Sequence, residues 1–257
     1  METPDLLALC LAILPPVTPQ TFWHAWVLAP ETLLPVLGLF LLPWLLPSLR
    51  RADRADRLLW QLGCLLLAVA LVSPLCRLAA TLAWAHMVQH LILIILAPLP
   101  MALGLRSLLR RWRHREGLAS LATLLLAGAI WGSHAPVIYE AALTNEAVHL
   151  AVLGVLLASA LLFWISAIKA PSLRAMSMVF VTILHSGLLG ALLTFSTRLW
   201  YPVFGAGPLV WGVTPMEDQQ LAGLIMWVPM GLILAIIGLW LWLGDLLLND
   251  ETASPRG

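Results

Sequence analysis

Long apolar runs broken by short clusters of arginine and proline are the dominant pattern of this chain. A helix rises ~1.5 Å per residue and the hydrocarbon core of a bilayer is ~30 Å thick, so a crossing takes about 20 mostly apolar residues. Seven stretches meet that length, approximately 31–49, 58–76, 86–105, 117–133, 147–168, 175–196 and 217–243. They lack the period-two alternation of barrel strands, and only helices or closed barrels satisfy the backbone in lipid. The pattern predicts an all-α polytopic membrane protein with a seven-transmembrane helix bundle over residues 31–243. An amino-terminal segment, 1–30, precedes the bundle and a tail, 244–257, follows it.

Local punctuation refines these elements. In TPMEDQQ, residues 214–220, Thr214 is placed to cap the last helix, Pro215 fits its first position, and Glu217 closes a capping box. Pro35, Pro43, Pro98, Pro100 and Pro229 fall inside apolar runs, where kinks are expected. LLALCLAIL, residues 6–14, has the length of a signal-peptide core but is preceded by Glu2 and Asp5 rather than by a basic residue. If retained, residues 1–30 are expected on the outer surface or as a re-entrant segment, with Trp23, His24 and Trp26 at the interface.

Charge then orients the bundle, because short loops rich in lysine and arginine stay cytoplasmic. Arg50, Arg51, Arg54 and Arg57 follow the first stretch, and Arg106, Arg110, Arg111, Arg113 and Arg115 follow the third. Lys169 and Arg174 follow the fifth, and Arg256 is in the tail, which leaves only Arg77 and Arg198 of the 14 basic residues on the other side. The amino terminus is predicted outside and the carboxyl terminus in the cytoplasm. Tryptophan is expected at the outer edge at positions 23, 26, 84, 131, 200 and 211, and at the inner edge at 60, 112, 164, 240 and 242. Apolar residues make up 61% of the chain and charged ones 11%, far from soluble proportions. A net charge of +1 leaves no basic face for nucleic acid. Cys10, Cys64 and Cys76 show no C-x-C or C-x-x-C spacing and read as small apolar residues, with neither a thiolate metal clamp nor a redox pair indicated.

On this topology the histidines gather. His86, His90, His134 and His149 lie at the outer ends of the third, fourth and fifth stretches, His185 lies near mid-membrane, and Asp218 opens the seventh. His114 belongs to a basic cytoplasmic loop. His86 and His90, four apart, share a helix face. Ionisable groups are expensive in lipid, so convergence from several helices points to a site. Imidazole suits copper, zinc or iron, and thioethers favour Cu(I), which brings in Met87, Met216 and Met226. A zinc hydrolase with His86, His90, His134 and Asp218 is an alternative, and helix-stabilising contacts in a non-metal scaffold are another. Haem would need axial histidines from different helices. Lys169, the one lysine, lies in a loop and excludes a retinal Schiff base in the core.

HMVQHLILIILAPLPMALG, WGSHAPVIYEAAL, HSGLLGALLTFS and TPMEDQQLAGLIMWVP resemble, in this order, motifs of the CtaG family of membrane-integral assembly factors for bacterial caa-type cytochrome c oxidase. The resemblance covers nearly all of 31–243, with DQQLAGLIMWVP its most specific piece. It implies a non-enzymatic, seven-helix protein of the bacterial cytoplasmic (inner) membrane that works in respiratory chain biogenesis at a copper-centre step. Its partners would be haem-copper oxidase subunits or a copper donor. Motif positions fall at His86, His90, His134, His149, His185 and Asp218; with Met226 these form the expected metal set, with Cu(I) as metal and zinc as alternative. Leu105 and Arg106 stand where a proline-containing turn is expected, and residues 1–30 match no motif.

Overall fold

Proline and small polar residues set where the helices start. The computed structural model describes residues 9–50, 52–111 and 116–253. Glu2, Asp5, Arg51, Trp112, Arg113, His114, Arg115 and Arg256 lie outside the described residues. The helices are α1 (Pro30–Leu45), α2 (Pro47–Arg50), α3 (Arg54–Leu71), α4 (Pro74–Ala79), α5 (Ala83–Leu91), α6 (Pro98–Gly104), α7 (Glu116–His134), α8 (Pro136–Thr144), α9 (Glu146–Lys169), α10 (Ser172–Phe195) and α11 (Pro215–Ala253), with no strand among the described residues. Six of them open on proline, whose missing N–H is harmless in a first turn. The capping box forms as the sequence predicts: the Glu217 N–H donates to Thr214 Oγ1 at 3.2 Å and the Thr214 N–H to Glu217 Oε2 at 2.8 Å.

Among the described residues five segments are long and apolar enough to cross a membrane: Ala83–Gly104, Gly117–His134, Glu146–Lys169, Ser172–Phe195 and Pro215–Leu243. The expected stretch 31–49 is the 16-residue α1 followed by the short α2. The expected stretch 58–76 begins earlier, at Arg54, and divides at Val72, because Ser73 caps a new helix by accepting from the Leu75 N–H. Helix α3 nevertheless follows the Ala83–Gly104 segment along its length in antiparallel sense. A Cβ on Gly104 would lie 2.6 Å from the Asp56 carbonyl oxygen, and one on Gly63 2.6 Å from that of Ala97. At the far end the Gln89 amide donates to the Ala70 carbonyl at 2.9 Å. Small residues also bring α10 against α11, where a Cβ on Gly223 would stand 2.5 Å from the Gly190 carbonyl oxygen.

Between α5 and α6 the helix widens into a π turn, Ile92–Leu96, in which the Ala97 N–H reaches the Ile92 carbonyl. Pro98 has no N–H to offer the carbonyl of Ile94. The Trp164 indole N–H takes its place at 2.8 Å. This corrects the expectation that Trp164 marks the inner membrane edge, for it is wholly buried. Trp60 departs from that belt too: it is buried and its indole donates to the Leu39 carbonyl, which ties α1 to α3. Where a proline turn was expected, Arg106 instead pairs with the fully buried Asp56 at 2.6 Å.

The amino-terminal segment is a strap across one end of the bundle, held by named bonds. Leu9, Cys10 and Leu11 are buried, and farther on Ala25, Val27 and Ala29 alternate inward while Trp23, His24 and Trp26 face out. The Ala12 N–H donates to the Leu143 carbonyl, the Val17 N–H to Thr81 Oγ1, and the Arg77 guanidinium to the carbonyls of Leu9, Leu11 and Pro15. Cys10 and Cys76 form a disulfide with their Cα atoms 5.5 Å apart. The reading of both as inert apolar residues is thereby corrected: a separation of 66 positions carries no local signature, so pairing emerges only once the strap has docked. Outside the bundle, side chains such as Leu124, Phe180 and Leu232 are exposed, giving an apolar outer surface of the kind lipid requires.

Candidate metal centre

Helix α5 starts at Ala83, so His86 and His90 fall on consecutive turns of one face, and both are buried. Their rings lie 4.4 Å apart, centroid to centroid. His134, the last residue of α7, brings its ring to 5.1 Å from that of His90. His149, in the first turns of α9, is buried and within electrostatic range of both His86 and His90. Four histidines that the sequence placed on three stretches therefore converge at one end of the bundle.

Their second ring nitrogens explain how they are aimed. His86 Nδ1 lies 3.3 Å from the Ala79 carbonyl oxygen, His134 Nδ1 2.7 Å from that of Ile130, and His149 Nδ1 3.1 Å from that of Ala142. With Nδ1–H donating to a carbonyl, the lone pair of each ring is left on Nε2, the arrangement that orients metal-ligating imidazoles. His134 Nε2 comes within 3.3 Å of Met87 Sδ, so a thioether already sits against one of these lone pairs. His90 differs from the others: both its ring nitrogens are buried without a hydrogen-bond partner among the described residues. A buried polar group without a partner is rare enough in folded proteins to require an explanation.

Two aromatic residues complete the wall, and they are the only two tyrosines in the chain. Tyr139 on α8 packs 4.8 Å from His86 and stacks on Tyr201 at 3.8 Å. The Tyr201 hydroxyl donates to the His134 carbonyl at 2.9 Å, whereas the buried Tyr139 hydroxyl has no hydrogen-bond partner among the described residues. Burial, with Tyr201 and Asp218 nearby, pushes the Tyr139 phenol well above its usual range, so it stays protonated and able to donate. Neither tyrosine was singled out from the sequence. The available signal was the position of Tyr139 five residues after His134, inside WGSHAPVIYEAAL.

Asp218 occupies a different place from a ligand pointing at open space. Oδ2 accepts from the Ala83 N–H at 2.7 Å and Oδ1 from the Trp84 N–H at 3.1 Å, so the first turn of α11 caps the helix that carries His86 and His90. Leu82, the residue preceding α5, offers no capping side chain of its own. Next to it Gln219 accepts from the Trp200 N–H and donates to the Arg198 carbonyl, which fixes the long α10–α11 connection. Met226, two turns beyond Asp218, is buried in the same apolar core as Met87, Tyr139 and Tyr201. His185 is half-buried in α10, and its two ring nitrogens have no hydrogen-bond partner among the described residues. No described contact joins it to the other four histidines. Met216 is half-exposed at the start of α11.

Residues 39–244 match the profile of the family Caa3_CtaG, cytochrome c oxidase caa3 assembly factor. Comparison with curated proteins and with solved structures gives no match.

Proposed function

The chain belongs to the Caa3_CtaG family of cytochrome c oxidase caa3 assembly factors, and we propose that it serves oxidase assembly by holding Cu(I) as cargo in the histidine cluster. The observation that carries this reading is His90, which is buried with both ring nitrogens unpartnered among three imidazoles whose Nδ1 atoms are tied to carbonyls. The donor set suits the cargo: neutral imidazoles and the Met87 thioether are the ligands that favour Cu(I). On this reading His90 and His86 form the core of the site, His134 and Met87 adjust it, and His149 lies at its edge. Asp218 positions the helix bearing the first two, and Met226 and His185 belong to a relay farther into the bundle.

The same reading places α1 and α3 in the bilayer beside the five longer spans, making seven, in a bacterial cytoplasmic membrane with the amino terminus outside. Two independent features support that orientation. Arg106, Arg110, Lys169 and Arg174 lie at the end opposite the histidines, as cytoplasmic loops require. The Cys10–Cys76 bond lies at the histidine end, and disulfides persist on the oxidising, non-cytoplasmic side. The partners are then oxidase subunits as recipients and an external copper donor.

The zinc hydrolase alternative is weakened by Asp218, whose two oxygens already accept backbone N–H groups and are poorly placed to serve as a base. Cu(I) titration of the purified protein against a chromophoric chelator tests the proposal. With the Cys10–Cys76 disulfide intact, tight binding that disappears in His90→Ala and in the His86/His90 double alanine variant is expected. A folded wild type that binds no Cu(I) beyond a detergent blank refutes it, as does a folded double variant that binds like the wild type. Retained zinc with turnover of a lipid or peptide bond would favour the hydrolase. Unaltered copper in an oxidase assembled with the double variant would favour the scaffold.

A further inference from the structure

Beside the histidine cluster is a second set of soft donors. The sulfurs of Cys10 and Cys76 and a ring nitrogen of His149 all lie within 4.8 Å of one another, and all three residues are buried. His149 Nδ1 is held by the Ala142 carbonyl at 3.1 Å, so its lone pair is on Nε2 and available to a metal. Two thiolates and one imidazole make a donor set for Cu(I) or zinc, with thiolate selecting the softer ion.

We propose that Cys10, Cys76 and His149 form a redox-gated Cu(I) site, closed while the disulfide stands and opened when it is reduced. The inference rests on the copper reading above for the identity of the metal, but it uses different donors except for His149. Reduction requires a dithiol protein on the external side. Its two thiols give up two electrons and two protons and close to a disulfide, while the Cys10–Cys76 bond breaks and each sulfur takes one electron and one proton. Cu(I) then displaces both thiol protons and is held by the two thiolates, with the His149 imidazole as third ligand.

The strap makes the gate reversible. After reduction Cys10 stays in place, because the strap is bound on both sides of it independently of sulfur. The Arg77 guanidinium holds the carbonyls of Leu9, Leu11 and Pro15, and the Ala12 N–H holds that of Leu143. The thiols are therefore retained near His149 instead of separating with a loose terminus, which keeps the ordering cost of metal binding low. Cys76 lies in α4, the helix that immediately precedes the α5 bearing His86 and His90, so the two sites are carried by consecutive elements.

The experiment uses full-length protein in a Cys64→Ser background, since Cys64 is the remaining, unbridged cysteine. Oxidised and phosphine-reduced samples are titrated anaerobically with Cu(I) against a chromophoric chelator, and a maleimide then reads thiol protection. The expected result is one more Cu(I) per chain in the reduced sample, lost in Cys10→Ser and in Cys76→Ser, with both thiols alkylated more slowly in the presence of the metal than in the metal-free reduced protein. In the His86/His90 double alanine variant the reduction-dependent Cu(I) should persist, so failure of the imidazole cluster and failure of this site are read separately. Equal Cu(I) in oxidised and reduced protein overturns the proposal, as does alkylation of both thiols at the metal-free rate in the presence of saturating Cu(I). The alkylation arm needs no cysteine variant beyond Cys64→Ser, so a misfolded serine variant does not remove the test.

Discussion

Asp218→Ala separates positioning from ligation at the heart of the site. The carboxylate makes two hydrogen bonds, 2.7 and 3.1 Å long, to the first two N–H groups of the helix that carries His86 and His90, and Asp218 is 1% exposed. Hydrogen bonds to a charged acceptor contribute ~1.5–3 kcal/mol each, and an ordinary N-cap deletion costs ~0.5–2 kcal/mol. Removing both bonds also leaves two N–H groups without an acceptor, one of them on fully buried Ala83. A loss of about 3–5 kcal/mol follows from these terms together. Asp218→Asn keeps one acceptor oxygen and a near-identical volume, so it should recover roughly half of that. Replacing the exposed capping-box residue Glu217 by Ala should cost far less than Asp218→Ala. Unfolding in mixed detergent micelles, followed by tryptophan fluorescence, gives the three values in one series. Cu(I) affinity should fall in proportion to the loss of folded helix and return with Asn. An Asp218→Ala protein as stable as the wild type would refute the capping argument, and an Asn variant of full stability with no Cu(I) binding would make Asp218 a ligand.

Other expected outcomes follow from close contacts in the bundle. Gly223→Ala places a Cβ 2.5 Å from both the Gly190 carbonyl and Thr194 Oγ1, so α10 and α11 must separate at a cost of ~1–3 kcal/mol, whereas Gly128→Ala, with nothing within 4 Å, should be neutral; unfolding midpoints of the two variants check this. Trp164→Phe removes the donor that Pro98 makes necessary, leaves the Ile94 carbonyl unpaired, and should destabilise by ~1–3 kcal/mol in the same assay. Met87→Leu keeps the volume but removes the thioether from His134, so the fold should survive within ~1.5 kcal/mol while Cu(I) affinity in chelator competition falls.

The membrane helices were legible because lipid reduces the problem to one dimension: a run of sufficient apolar length must be helical wherever it lies. The capping box at Thr214 and Glu217 was legible for the same reason, since both partners fall within one turn. His86 and His90 could be placed on one face from their spacing, and His134 and His149 at the same end from the order of the helices. Nothing in sequence order told Trp164, buried against a π turn, from an interfacial tryptophan.

What the sequence by itself determined is the family, the helical class and the end of the bundle at which histidines collect. Only the tertiary structure decided what those residues face. The Asp218 carboxylate accepts from the N–H groups of Ala83 and Trp84, 135 and 134 positions away in the chain, so no local pattern carried its capping of α5. His90 became distinct from His86 only through the absence of a carbonyl within reach of either nitrogen. Cys10 and Cys76 are paired because the strap docks across the bundle end. Helix periodicity extends over a few residues, whereas hydrogen bonds and sulfur pairing depend on distances in space, and these are set when distant helices pack together.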